Sequence, residues 1–141
     1  MEQNKSKDSL PIAFEQLVAG YEFLPSSYEL KASVMSKYLK AVGKPGKQNS
    51  LASEFVPPVA IAAYTMTAVL QSLSLPPGAI HTAQELEFLK LVPVGATINC
   101  RGRVARKLDR GKLHLLVIEL DALNQDQEKV LSGQATIVVP D

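Results

Sequence analysis

The sequence predicts an α+β domain in which a long antiparallel sheet wraps one buried helix, and three observations lead there. Residues Val59 to Leu75 contain no Asp, Glu, Lys, Arg or His. A helix without a solvated face has to be enclosed by protein on most sides. From Ala79 onward the text turns strand-like, in four runs separated by short turn sequences. Residues 78 to 98 then read as a long strand, a Pro93-Val94-Gly95 turn and a second strand. One apolar helix and several long, twisted strands bury their faces most simply when the sheet curls around the helix. On pattern alone, a flat α+β sandwich is the competing arrangement.

Taken in order, residues 1–10 carry mixed charge and no apolar h-region, so they are expected to be a disordered tail and not a signal peptide. Residues 11–141 are expected to form a single domain, since 141 residues with 46% hydrophobic content suit one core and are too few for two. Ile12 to Gly20 fits a short strand or a turn of helix. Tyr28 to Ala32 alternates as a strand does. Ser33 is placed to cap a helix in which Val34, Met35, Tyr38, Leu39 and Val42 fall near one face, with Gly43 to end it. Residues 43–56 hold two glycines, a proline and small polar side chains, the chemistry of a loop.

Pro57 and Pro58 suit the first turn of the next helix, where a missing N–H costs nothing. In the strand that follows, Ile80, Thr82, Gln84, Leu86 and Phe88 share one parity, and His81, Ala83, Glu85, Glu87 and Leu89 the other. Three further strands, Thr97 to Leu108, Lys112 to Asn124 and Lys129 to Val139, are joined by Asp109-Arg110-Gly111 and by residues 125–128. Edge strands in such a sheet need covering, which predicts a dimer or an assembly of dimers.

Composition excludes several functions. Fifteen Lys and Arg against 14 Asp and Glu give a net charge of +1, too little to recruit nucleic acid or an anionic membrane. A single Cys100 permits no internal disulfide and points to a reducing, cytoplasmic setting. One Cys and two distant His provide no metal-ligand spacing, so no metal and no cofactor are expected. The polar residues interrupting Val59 to Leu75 leave it short of a membrane span.

Several pieces in order resemble a known family: Tyr38 to Gly43, Val56-Pro57-Pro58, His81 with Gln84 to Phe88, Pro93-Val94-Gly95, and Gly133-Gln134-Ala135-Thr136. Residues 20–140 are similar to the MaoC-like branch of the hot-dog superfamily, which includes (R)-specific enoyl-CoA hydratases and dehydratase domains of the fatty-acid-synthase type. The resemblance implies the hot-dog fold and an acyl-CoA or acyl-carrier-protein thioester as ligand. It also implies a homodimer, or a heterodimer with a second hot-dog subunit. Substrate-binding positions implied by it are Asn49, Val56, Pro57, Val59, Ala60, Tyr64 and His81.

Hydratases of that family carry Gly-Asp-x-Asn-Pro-x-His before the buried helix. Adding water to an enoyl thioester needs a base for the water, an acid for the α-carbon and an N–H donor for the carbonyl. Laid on this chain from Gly43, the pattern puts Lys44 at the Asp and Asn49 at the His, and residues 39–53 contain no Asp, Glu or His. Asn exchanges no proton near neutrality, and an ordinary Lys ammonium is not a base. Related dehydratases pair a subunit carrying the dyad with one lacking it, and this chain resembles the latter.

Three alternatives stay open. His81 with Glu54 would supply a relocated dyad, making the chain an enoyl-CoA hydratase or 3-hydroxyacyl dehydratase. A stand-alone acyl-CoA binding protein needs no dyad. A thioesterase would use an Asp or Glu on or just before the helix to attack the thioester or activate water, and the helix itself offers only Thr65, Thr67, Tyr64, Gln71 and serines. The basic run Arg101, Arg103, Arg106, Lys107 and Arg110 fits either the phosphates of a nucleotide or a solvated strand. Glu85 and Glu87 read as a solvated face, and His114 as an outward-facing residue without a role.

Overall fold

The computed structural model describes residues 11–41 and 54–141. The expected tail, residues 1–10, and most of the loop expected over 43–56, including Lys44 and Asn49, lie outside them. The elements in order are β1 (Ile12–Ala13), a 3-10 turn (Phe14–Gln16), β2 (Ser26–Glu29), α1 (Ala32–Ala41) and α2 (Pro58–Leu70). They continue with β3 (Leu73–Ser74), β4 (Ile80–Phe88), β5 (Thr97–Arg110), β6 (Leu113–Leu123) and β7 (Lys129–Pro140). Among the described residues, no helix is long and apolar enough to cross a membrane.

Five strands form one antiparallel sheet in the order β2-β5-β6-β7-β4. β5, β6 and β7 are a meander of neighbours in sequence, and Gly111, at φ 63°, makes the tight turn between the first two. The Pro93-Val94-Gly95 turn forms as expected. Gly95 takes φ 97°, the Ala96 N–H donates to the Pro93 carbonyl at 3.1 Å, and the Gly95 N–H donates to Leu30 at 2.7 Å.

α2 lies on one face of this sheet with Pro58 at its first position. Its first half packs Ala60, Ile61 and Ala62 against Leu30, Ile98 and Leu131. Its second half places Val69 among Phe14, Phe23, Val104, Leu116 and Ile137. Close approach between layers is possible because Gly102 of β5 faces Val69. The sheet is therefore wrapped on one helix, as the charge-free segment predicts.

Three local expectations are corrected. The helix stops at Leu70 and not at Leu75, because Leu73 and Ser74 leave it to pair in parallel with Ile12 and Ala13. The helix is less enclosed than its composition implies: Val59, Ala63, Thr67 and Leu70 form an exposed stripe, with Val59 62% and Leu70 41% accessible. A β-bulge between His81 and Ala83 shifts the phase of β4. His81 thereby pairs with buried Ile137 and falls on the helix side with Gln84, Leu86 and Phe88, so the simple alternation fails at the start of the strand.

Candidate functional site

The site predicted by position lies where the chain enters α2. Glu54 to Val56 run against the turn after β4: the Val56 N–H donates to Val92 O at 2.7 Å, and the Val94 N–H to Glu54 O at 3.0 Å. Phe55 bridges Pro93 between them. These bonds hold the entry segment as a strap and set the direction of α2. Pro57 and Pro58 have no N–H, so Val59 is the first residue of the helix with an amide to offer outward. Val56 and Ala60 are buried, while Val59 between them is exposed.

One turn further along, Tyr64 meets Tyr28 of β2 with ring centroids 4.8 Å apart. Burial raises the pKa of both phenols, so both remain neutral hydrogen-bonding groups near pH 7. Below them Thr65 is fully buried; its hydroxyl donates to Ile61 O at 2.8 Å and lies 3.4 Å from Cys100 Sγ. Burial pushes the Cys100 thiol up to about 11, which leaves it protonated and unreactive. Thr67 likewise donates to Ala63 O at 2.8 Å. The threonine hydroxyls of α2 are thus tied to the helix backbone, and among the described residues neither is hydrogen-bonded to a base.

His81 and Glu54 are not brought together within the protomer. Glu54 precedes the first turn of α2, whereas His81 pairs with Ile137 beside the helix's last turn. A helix of 13 residues, about 20 Å long, lies between the two positions. His81 is exposed on the helix side of β4. Val56, Pro57, Val59, Ala60 and Tyr64 do form one neighbourhood.

Three members of the basic run are engaged within the protein. Arg101 makes a two-pronged pair with Asp121 at 3.0 and 3.1 Å, and Arg103 reaches Glu119 at 2.7 Å. Lys107 donates to the carbonyls of Phe14 and Leu17 and lies 4.3 Å over the Phe14 ring. It caps the 3-10 turn.

His114 has a structural part that its strand position concealed. Its two ring nitrogens meet Asp109 Oδ1 at 2.6 Å and Asp141 Oδ1 at 2.7 Å, beside Phe14. The hydrogen bond to Asp109, then that to Asp141, raises its pKa above 6.5. The folded form therefore holds the proton more tightly than the unfolded chain does. The clamp's contribution is complete below about pH 6.5 and lost as pH rises through the raised value. Thermal melts from pH 6 to 9 should show the deficit of His114→Ala largest near pH 6 and shrinking upward; a pH-independent deficit would refute the clamp.

No protein-family model and no curated protein matches the sequence. Solved structures do match in three dimensions. A MaoC-like dehydratase from Rhodospirillum rubrum superposes with a TM-score of 0.72 at 19% identity, covering 90% of this chain and 95% of that one. The R-hydratase PhaJ1 from Pseudomonas aeruginosa gives 0.74 at 18%, covering 94% and 87%. The HadBC complex, a 3R-hydroxyacyl-ACP dehydratase from Mycobacterium tuberculosis, gives 0.68 at 16%, covering 89% and 99%. The chain has the hot-dog fold, which it shares with these structures.

Proposed function

We propose that this chain is a MaoC-like acyl-thioester-binding subunit that has lost the hydratase dyad and works beside a second hot-dog chain that carries it. One observation carries the reading: neither residues 39–53 nor α2 contains a side chain able to shuttle the two protons of hydration. The substrate end is better provided. Val59 offers the first outward amide of α2 for a thioester carbonyl, with Val56, Pro57, Ala60 and Tyr64 around it and Asn49 on the preceding loop. A paired arrangement is supported by the neighbour HadBC, itself a complex.

The relocated-dyad alternative, His81 with Glu54, would require residues from opposite ends of α2. A thioesterase would require a carboxylate that α2 lacks. A crotonyl-CoA hydration assay on the purified chain, followed by loss of enoyl-thioester absorbance, is expected to show no turnover. An acyl-CoA at ten times its Kd should meanwhile stabilise the fold by about 1.4 kcal/mol. Turnover abolished by His81→Ala would overturn the reading in favour of the relocated dyad, and absence of any thermal shift would remove the thioester.

A further inference from the structure

Charge is unevenly placed along this chain. Residues 30–53 hold five lysines and no acid, whereas the rest of the chain sets ten Lys and Arg against all 14 Asp and Glu. The lysines are Lys31, Lys37, Lys40, Lys44 and Lys47, and the nearest acids, Glu29 and Glu54, stand at the two ends. Lys31 and Lys37 are exposed, while the side chains of Lys40, Lys44 and Lys47 lie outside the described residues.

Both ends of this segment are fastened to one turn. The Leu30 N–H donates to Ala96 O at 2.9 Å, and Leu30 O accepts from the Gly95 N–H at 2.7 Å. At the other end the Val94 N–H donates to Glu54 O at 3.0 Å. Pro93-Val94-Gly95 therefore gathers the start of α1 and the entry to α2, so the lysine-bearing segment leaves from and returns to the neighbourhood of Val56 and Val59. Elsewhere Lys90, Arg101, Arg103 and Lys129 are each paired with an acid. Among the described residues, Lys31 and Lys37 are paired with none.

A patch of this sign calls for an anion, and its place decides which. A thioester whose carbonyl meets Val59 carries its sulfur on a pantetheine arm that extends about 16 Å, at about 3.8 Å for three bonds. α1 has ten residues, starts at the same turn and is about 15 Å long, a length matched to the arm. In coenzyme A the arm ends in a diphosphate and a 3′-phosphomonoester of about −2 charge. Ammonium groups bind such oxygens as point charges. In a carrier protein the arm ends in one phosphodiester on a macromolecule, whose contact needs an apolar centre. The exposed side chains described here are Lys31, Ala32, Ser33, Ser36 and Lys37, while Val34 is half-buried and Met35 buried, so the described face of α1 offers no such centre.

We infer that Lys31 and Lys37 hold the nucleotide phosphates of a coenzyme A thioester, which makes the coenzyme ester, and not a protein-bound one, the ligand of this chain. The inference rests on the thioester-binding reading and adds the carrier to it.

Isothermal titration of the full-length chain tests the two separately. Three probes are used: butyryl-CoA; S-butyryl-pantetheine, which has the arm without the nucleotide; and adenosine 3′,5′-bisphosphate, which has phosphates without arm or thioester. Each is titrated into wild type and into Lys31→Gln/Lys37→Gln, with circular dichroism to check folding. Butyryl-CoA should bind wild type at least about tenfold tighter than S-butyryl-pantetheine, lose about tenfold in the variant, and weaken as salt is raised. S-butyryl-pantetheine should respond to neither change, and the bisphosphate should bind wild type in preference to the variant. Equal affinity for the two esters, or a butyryl-CoA affinity that the variant retains, overturns the inference and leaves the thioester reading standing. Lysine-dependent binding of the bisphosphate without binding of either ester removes the thioester and keeps the phosphate site. No binding of any probe overturns both. Butyryl on an acyl-carrier protein binding as tightly as butyryl-CoA would assign the lysines to a protein partner and overturn the choice of ligand. Should the variant not fold, the comparison of the two esters on wild type, with its salt dependence, decides alone.

Discussion

Gly133→Ala is expected to destabilise the protein by about 3 kcal/mol, at the upper end of the usual cost of overpacking. A Cβ built on Gly133 of β7 lies 2.5 Å from the backbone carbonyl oxygen of Glu85 and 3.0 Å from Leu86 Cδ2. The first of these atoms belongs to the main chain of β4 and cannot rotate aside, so the strand itself has to move. For a domain of this size such a loss lowers the melting temperature by about 10 °C. Hydrogen exchange should locate the damage: amides of β4 lose protection while those of β5 and β6 keep theirs. An unchanged melting temperature would mean that β4 is held less closely to β7 than the register states.

The second large effect concerns the contact between helix and sheet. A Cβ on Gly102 would stand 2.4 Å from Val69 Cγ2, and Val69 is 2% exposed and branched at Cβ, with little freedom to turn away. Gly102→Ala should cost about 1–3 kcal/mol. Val69→Ala should cost about 2 kcal/mol through the space it leaves. In the double variant the new methyl occupies part of that space, so the combined loss should fall short of the sum by about 1–2 kcal/mol. Urea titrations of the four proteins measure this coupling, and strict additivity would show that the two residues are not in contact.

The parts of the fold that were legible in the sequence are those with a one-sided chemical signal. The absence of charge in α2 announced a buried helix, and β5, β6 and β7 were visible because strands of 11 to 14 residues are separated by Gly111 and by a polar turn. Pro93-Val94-Gly95 was legible because one position of that turn requires positive φ. The phase of β4 was not. A bulge adds a residue without leaving a mark in composition, and it moved His81 to the helix side. The end of α2 was misread because Leu73 is as apolar as the helix before it, and only the distant partner Ile12 recruits it into a strand.

The candidate site divides in the same way. Val56, Pro57, Val59, Ala60 and Tyr64 are close in sequence and therefore close in space. The pairing of His81 with Glu54 joined residues that lie on either side of the helix read from the sequence, and the 13 residues of α2 stand between them. The clamp on His114 escaped notice for a related reason, since Asp141 reaches it from the far end of β7.

The order of elements also bears on how the chain comes to fold during synthesis. Apart from four residues of β2, every strand that surrounds α2 in the five-stranded sheet lies C-terminal to it. The helix leaves the ribosome as an uncharged segment with only β2, α1 and the N-terminal turn yet made to cover it. β5, β6 and β7 join neighbours in sequence and can assemble quickly once they emerge, whereas β4 closes onto β7 across about 50 residues, as Glu85 meets Gln134. For that interval α2 is an exposed apolar helix of the kind that chaperones bind, so the yield of native protein will follow the supply of chaperone during translation more closely than the stability of the finished domain.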